Sequence, residues 1–192
     1  MADHLVGASR RGVLIDTILI LTGVIALALS AQVRIPLGFT PVPISGQTFA
    51  VLLVGASLGS RRGLLSCLLY VILGVAGAPI FTDQTSGIVN LMGPTGGYLV
   101  GFVVAAALLG ALAQRRVDRH VGPAFLAMLA SSIVIYAFGL TGLMLATGAS
   151  LPRAAELGLY PFIVGDLIKA ALAGLALPTA WAIIARLEGD RK

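Results

Sequence analysis

Six apolar segments, separated by short turns of which every second one carries arginines, constrain this chain more than any other feature. They run approximately over 13–33, 42–58, 64–77, 96–113, 123–147 and 159–185. A straight membrane span needs about 20 apolar residues, so the second and third segments are short. They are expected to extend into their flanks or to lie in protein-lined, partly polar surroundings. No water-soluble core uses this many apolar side chains: 58% of the 192 residues are hydrophobic and 11% charged, and the mean hydropathy is +1.00. Soluble domains carry roughly 25% charged residues. The sequence therefore reads as an all-α integral membrane protein, one domain over 1–192 with six transmembrane helices. Its 24 glycines fit, because small residues let membrane helices approach closely.

The basic residues orient the segments. Arg10 and Arg11 precede the first, Arg61 and Arg62 divide the second from the third, and Arg115, Arg116 and Arg119 divide the fourth from the fifth. Arg186, Arg191 and Lys192 follow the sixth, which makes ten on alternate turns. The opposite turns hold only Arg34 and Arg153. By the positive-inside rule both termini are expected to be cytoplasmic. This placement assigns the net charge of +5 to membrane topology and membrane lipids, with no nucleic-acid partner. The apolar run near the N-terminus is expected to be a retained first helix, not a cleaved signal.

Little in the chain offers catalytic chemistry. Cys67, the single cysteine, reads as a small buried hydrophobe, and His4 and His120 have no neighbours at ligand spacing. No nucleophile–base dyad, metal box or cofactor motif can be drawn. "GPTGG" lacks the lysine and the preceding strand of a phosphate loop. The expectation is a protein that is not an enzyme, without catalytic residues, metal or cofactor.

Two extracytoplasmic loops depart from plain connectors. The first, "RIPLGFTPVPISGQ", carries Pro36, Pro41 and Pro43, which forbid regular helix across it. The long loop 78–95 is apolar at both ends and polar at Thr82, Asp83, Gln84, Thr85 and Ser86, which marks it as a lid packed on the helices or a solvated connector.

Two opposite charges lie inside the last segment. Asp166 and Lys169 are three apart and share a helical face, roughly 10 and 15 Å below the outer end at 1.5 Å per residue. Each costs about 2.5–3.5 kcal/mol at the centre of an isolated span. Either the pair only neutralises itself, or it meets a polar ligand. Lysine takes a carboxylate and aspartate takes amide-like N–H groups, so the ligand would be small, partly apolar and anionic. Gln47 reads as a ligand contact or as mid-helix packing. Tyr98 and Phe102, one turn apart, wall a pocket or anchor the interface.

"GFTPVPISGQ", "GVAGAPIF", "GPTGGYLVGF" and "GDLIKA" occur in the order and spacing of the BioY biotin transporters, which the chain resembles from about Gly38 to Ala170. That family comprises substrate-binding S components of energy-coupling factor (ECF) transporters. The resemblance implies an S-component bundle in a prokaryotic cytoplasmic membrane that captures biotin from outside under the two outer loops. It also implies a transmembrane coupling (T) subunit and ABC-type ATPase subunits as partners. Its "GDxxK" aspartate and lysine fall on Asp166 and Lys169, its glutamine on Gln47, and a polar third-loop residue on Thr85. Ser86, Gln84 and Asn90 stand near enough to serve in place of Thr85. The family's small-residue docking pattern in helix one is approximated only by Gly23, Ala26 and Ser30. Competing readings are a self-sufficient proton-coupled transporter or channel for a small carboxylate, and an S component for another vitamin.

Overall fold

The computed structural model describes the backbone of residues 2–189 and the side chains of residues 12–172, 174, 175 and 179. Arg10, Arg11, Arg186, Arg191 and Lys192, on which part of the charge asymmetry rests, lie outside the described side chains, as does His4. The architecture is helical: α1 (Ala2–Gln32), α2 (Gln47–Val75), α3 (Ile88–Met92), α4 (Gly96–Gln114), α5 (Val121–Thr147), α6 (Leu151–Gly158) and α7 (Tyr160–Gly189). Among the described residues, four stretches are long and apolar enough to cross a membrane: Gly12–Gln32, Gln47–Val75, Gly96–Gln114 and Val121–Thr147. Their outward faces are greasy. Val13, Ile18, Ile25 and Leu29 on α1 are all exposed, as are Leu126, Ile133 and Leu145 on α5. An apolar surface of that extent is stable against lipid and not against water.

Length alone misreads α2. Twenty-nine residues of straight helix would reach about 43 Å, yet Gln47 Nε2 at one end donates to Tyr70 Oη near the other at 2.9 Å. The chain reverses at Gly59, where φ is +80° and ψ 174°, a conformation open essentially to glycine alone. Two antiparallel limbs result, 47–58 and 60–75. They touch where Gly63 faces Gly55, a Cβ on Gly63 falling 3.0 Å from the Gly55 Cα. The Arg61–Arg62 pair therefore sits just past a hairpin turn.

α4 packs between α2 and α5, and α7 lies mainly against α5. Close backbone approach makes this possible: a Cβ on Gly110 would collide with the Ser60 nitrogen. One core cluster runs from Leu27, Val51 and Tyr70 to Phe102, Ile135 and Leu143; a second gathers Leu52, Leu109, Met128 and Ala170. At the Gly59 end of the bundle, Arg62 bonds Asp16 of α1. Gln114, beside Gly59, brings Arg115 and Arg116 to the same end. Gly23, one of the small residues offered for partner docking, is buried against Ser66 of α2, so it serves packing within this chain and not an outward surface.

The opposite end is roofed by two loops, 33–46 and 76–95. The first, kept from helix by its prolines, folds as a short antiparallel ribbon of β1 (Arg34–Ile35) and β2 (Ile44–Ser45), with Arg34 opposite Ser45. Thr40 Oγ1 ties its tip to the Leu157 carbonyl of α6, a short helix in the connection between the fifth and sixth apolar segments. The long loop is pinned by Phe81, which is buried and edge-on to Tyr70 with ring centroids 5.4 Å apart. The Gly87 N–H donates to the Gly74 carbonyl at 2.7 Å, and Gln32 Nε2 to the Phe81 carbonyl at 3.0 Å.

Candidate functional site

Between this roof and the helices lies a cavity of about 440 Å³, within the roughly 300–1,000 Å³ of small-molecule sites. Most of its wall is apolar or aromatic, from Leu37, Val42, Leu99, Phe102 and Phe162 with the ring of Tyr98. Polar groups converge on it from the ribbon, α2, α5, α7 and the long loop.

The deepest polar feature is the pair carried by α7. Lys169 Nζ donates to Asp166 Oδ1 at 2.9 Å, to Thr48 Oγ1 at 3.0 Å and to the Ser45 carbonyl at 2.9 Å. An ammonium has three hydrogens, and all three are placed. Asp166 in turn accepts from Thr48 Oγ1 on Oδ1 and from Tyr136 Oη, by a short bond, on Oδ2. Side-chain exposure is 21% for the lysine and 11% for the aspartate, so the ions are largely out of solvent and held by matched partners. A ligand carboxylate reaches Lys169 only by displacing one of them. Thr48, Tyr136 and Ser45, absent from the sequence-based selection, complete this network. Their signal was weak, since a hydroxyl inside a span is common, although Tyr136 is the one phenol of the fifth segment.

Gln47 is buried and lines the cavity. Its amide nitrogen bonds Tyr70, and its Oε1 accepts from Thr82 Oγ1 at 3.2 Å. The glutamine thus joins α2 to the long loop. Tyr98 presents its ring to the cavity and to Tyr136, centroids 6.3 Å apart, while its hydroxyl is spent on the Gly158 carbonyl at 2.6 Å. Thr85 and Asn90 line the roof, Thr85 Oγ1 lying 2.7 Å from the Thr82 carbonyl and 3.1 Å from Asn90 Oδ1. Ser86 and Gln84 do not line it. Ser86 accepts from Asn90 Nδ2 through its carbonyl, and the Gln84 N–H donates to Gln32. A second charged pair, Arg34 with Asp83, closes the roof where the ribbon meets the long loop, and both residues line the cavity.

The BioY family matches residues 5–186, nearly the whole chain. The chain belongs to the BioY family. Among its curated relatives, the probable biotin transporter BioY of Pyrococcus horikoshii is 38% identical over 85% of this chain and 90% of its own length. The biotin transporter BioY of Rhizobium etli is 36% identical over 82% of this chain and 89% of its own. That of Thermotoga maritima is 37% identical over 78% and 85%. The fold is similar to a crystal structure of the S-component for biotin from an ECF-type ABC transporter. The TM-score is 0.76 at 24% identity, over 92% of this chain and 93% of that one.

Proposed function

We propose that this protein captures biotin with high affinity at the outer face of a prokaryotic cytoplasmic membrane and serves as the substrate-binding S component of an ECF-type transporter. A single observation carries the reading: a BioY-family chain holds a mainly apolar cavity of about 440 Å³ with a fully hydrogen-bonded Asp166–Lys169 pair at its floor. Biotin offers a ureido ring with two N–H donors, an apolar thioether ring and a carboxylate tail. The Asp166 carboxylate accepts a ureido N–H by releasing Thr48, whose bond at 3.2 Å is the longest in the network. Lys169 keeps that carboxylate charged and in place. The rings of Tyr98, Phe102 and Phe162 cover the thioether, and Gln47, Thr85 and Asn90 hold the roof over it.

With the limbs of α2 counted separately and the short α3 and α6 set aside, we read six long helical limbs as spans, and the arginine-rich turns support a cytoplasmic Gly59 end and cytoplasmic termini. Energy comes from a T subunit and ABC-type ATPase subunits, and the apolar exterior faces membrane lipids. Titration of the purified protein with biotin, thiamine and riboflavin, with mass spectrometry of the co-purified small molecule, tests the reading. Saturable biotin binding with neither competitor is expected; exclusive binding of another vitamin ends it. Uptake by vesicles holding this chain alone, driven by a proton gradient without ATP, would favour a self-sufficient transporter instead.

A further inference from the structure

The cavity contains two basic side chains, and they are not equally available. Lys169 spends its three hydrogens on Ser45, Thr48 and Asp166, inside the bundle. Arg34 stands on the first residue of the ribbon, opposite Ser45, with a side chain 33% exposed. Its partner is a single carboxylate, Asp83, 47% exposed at the tip of the long loop. Asp83 and Gln84 both hold positive φ, +63° and +55°, a conformation uncommon for residues other than glycine. A ligand anion approaching Lys169 must take a hydrogen from Ser45, Thr48 or Asp166, which are half-buried or buried. One approaching Arg34 trades a carboxylate for a carboxylate, and the displaced Asp83 moves into water. The planar guanidinium also matches a carboxylate through two parallel hydrogen bonds, which an ammonium does not.

We infer that Arg34 is the residue that selects a carboxylate-bearing ligand, with Asp83 as its resident stand-in until the ligand arrives. The inference rests on the biotin reading and adds to it where the tail lies: at the seam between ribbon and long loop, not at Lys169. The seam also reports occupancy, because taking Arg34 from Asp83 frees the tip of the long loop.

Two ligands separate charge recognition from shape: biotin and its neutral primary amide, titrated against the purified full chain. Arg34→Gln is expected to weaken biotin on the order of tenfold or more and to change the amide by far less. Arg34→Lys should restore part of the loss. Asp83→Asn removes the competing anion, and asparagine tolerates positive φ. It is expected to tighten biotin and leave the amide unchanged. Thermal unfolding without ligand checks that each variant keeps its fold. If Arg34→Gln weakens both ligands equally or neither, or if Asp83→Asn weakens biotin, the assignment of Arg34 is wrong while the biotin reading stands. A wild-type protein that binds neither ligand overturns both.

Discussion

Asp166 and Lys169 are held largely out of solvent because each satisfies the other and Ser45, Thr48 and Tyr136 take up their remaining hydrogen bonds. Removing one member of a buried pair leaves an uncompensated ion and costs about 3–5 kcal/mol, whereas replacing both together is often neutral. Lys169→Met is therefore expected to lower the unfolding temperature in detergent markedly, and Lys169→Met combined with Asp166→Asn to recover most of the loss. Biotin binding should fall in both, because each disturbs the carboxylate. Full recovery of binding in the double variant would show that Asp166 only neutralises its neighbour. Tyr136→Phe is a milder probe. It removes one hydrogen bond worth about 0.6–1.7 kcal/mol in a membrane helix bundle and should weaken biotin by several-fold, since Oδ2 loses its anchor. The charged pair was legible in the sequence because two ions stand out in an apolar run, where each alone carries a high cost. Thr48 and Tyr136 were not, because the pairing spans 118 and 30 residues of chain and hydroxyls carry no such penalty to flag them.

At the scale of elements, two features decide the shape of the site: the reversal in α2 and the long loop. Gly59→Ala places a side chain in a conformation that costs about 1–3 kcal/mol and sets its Cβ 2.9 Å from Gln114 Nε2. The expected result is a lower unfolding temperature, with Gly122→Ala, whose Cβ meets nothing within 4 Å, as the neutral control. The arginine pair at 61–62 hinted at a turn, but the left-handed glycine that makes it is indistinguishable in sequence from the other glycines of an apolar chain. For the loop, Thr85→Cys should react with an external thiol reagent and be protected by biotin; equal labelling with and without biotin would make the loop a plain connector. The native thiol will not interfere, since Cys67 is fully buried. The prolines of the first loop foretold the absence of helix. The ribbon and its bond to α6 depend on partners distant in the chain, and no local pattern announces them.

Across the whole molecule, the arginine-rich turns at 61–62 and 115–116 and the cavity occupy opposite ends. Helical membrane character was legible from composition alone, because lipid is the one solvent that accepts such a surface. In the sequence only the long loop and the charged pair point to one end as the candidate site, and the Arg34–Asp83 seam escaped notice because partner choice between two loops is a tertiary property. Replacing Arg61, Arg62, Arg115 and Arg116 with glutamine should leave biotin affinity intact in correctly inserted protein, while disturbing orientation or association with partner subunits. Lost affinity in such a variant would place the site at the wrong end.

The hairpin at Gly59 also bears on how the chain enters the bilayer. Its limbs measure about 18 and 24 Å at 1.5 Å per residue, against a hydrocarbon core of about 30 Å. Neither is a competent insertion signal by itself. During synthesis the first limb must wait at the membrane until the second has emerged from the ribosome, and the two then enter as one unit. A fragment of residues 34–59, lacking α1, should be extractable by alkali, whereas one of residues 34–75 should be retained in the lipid.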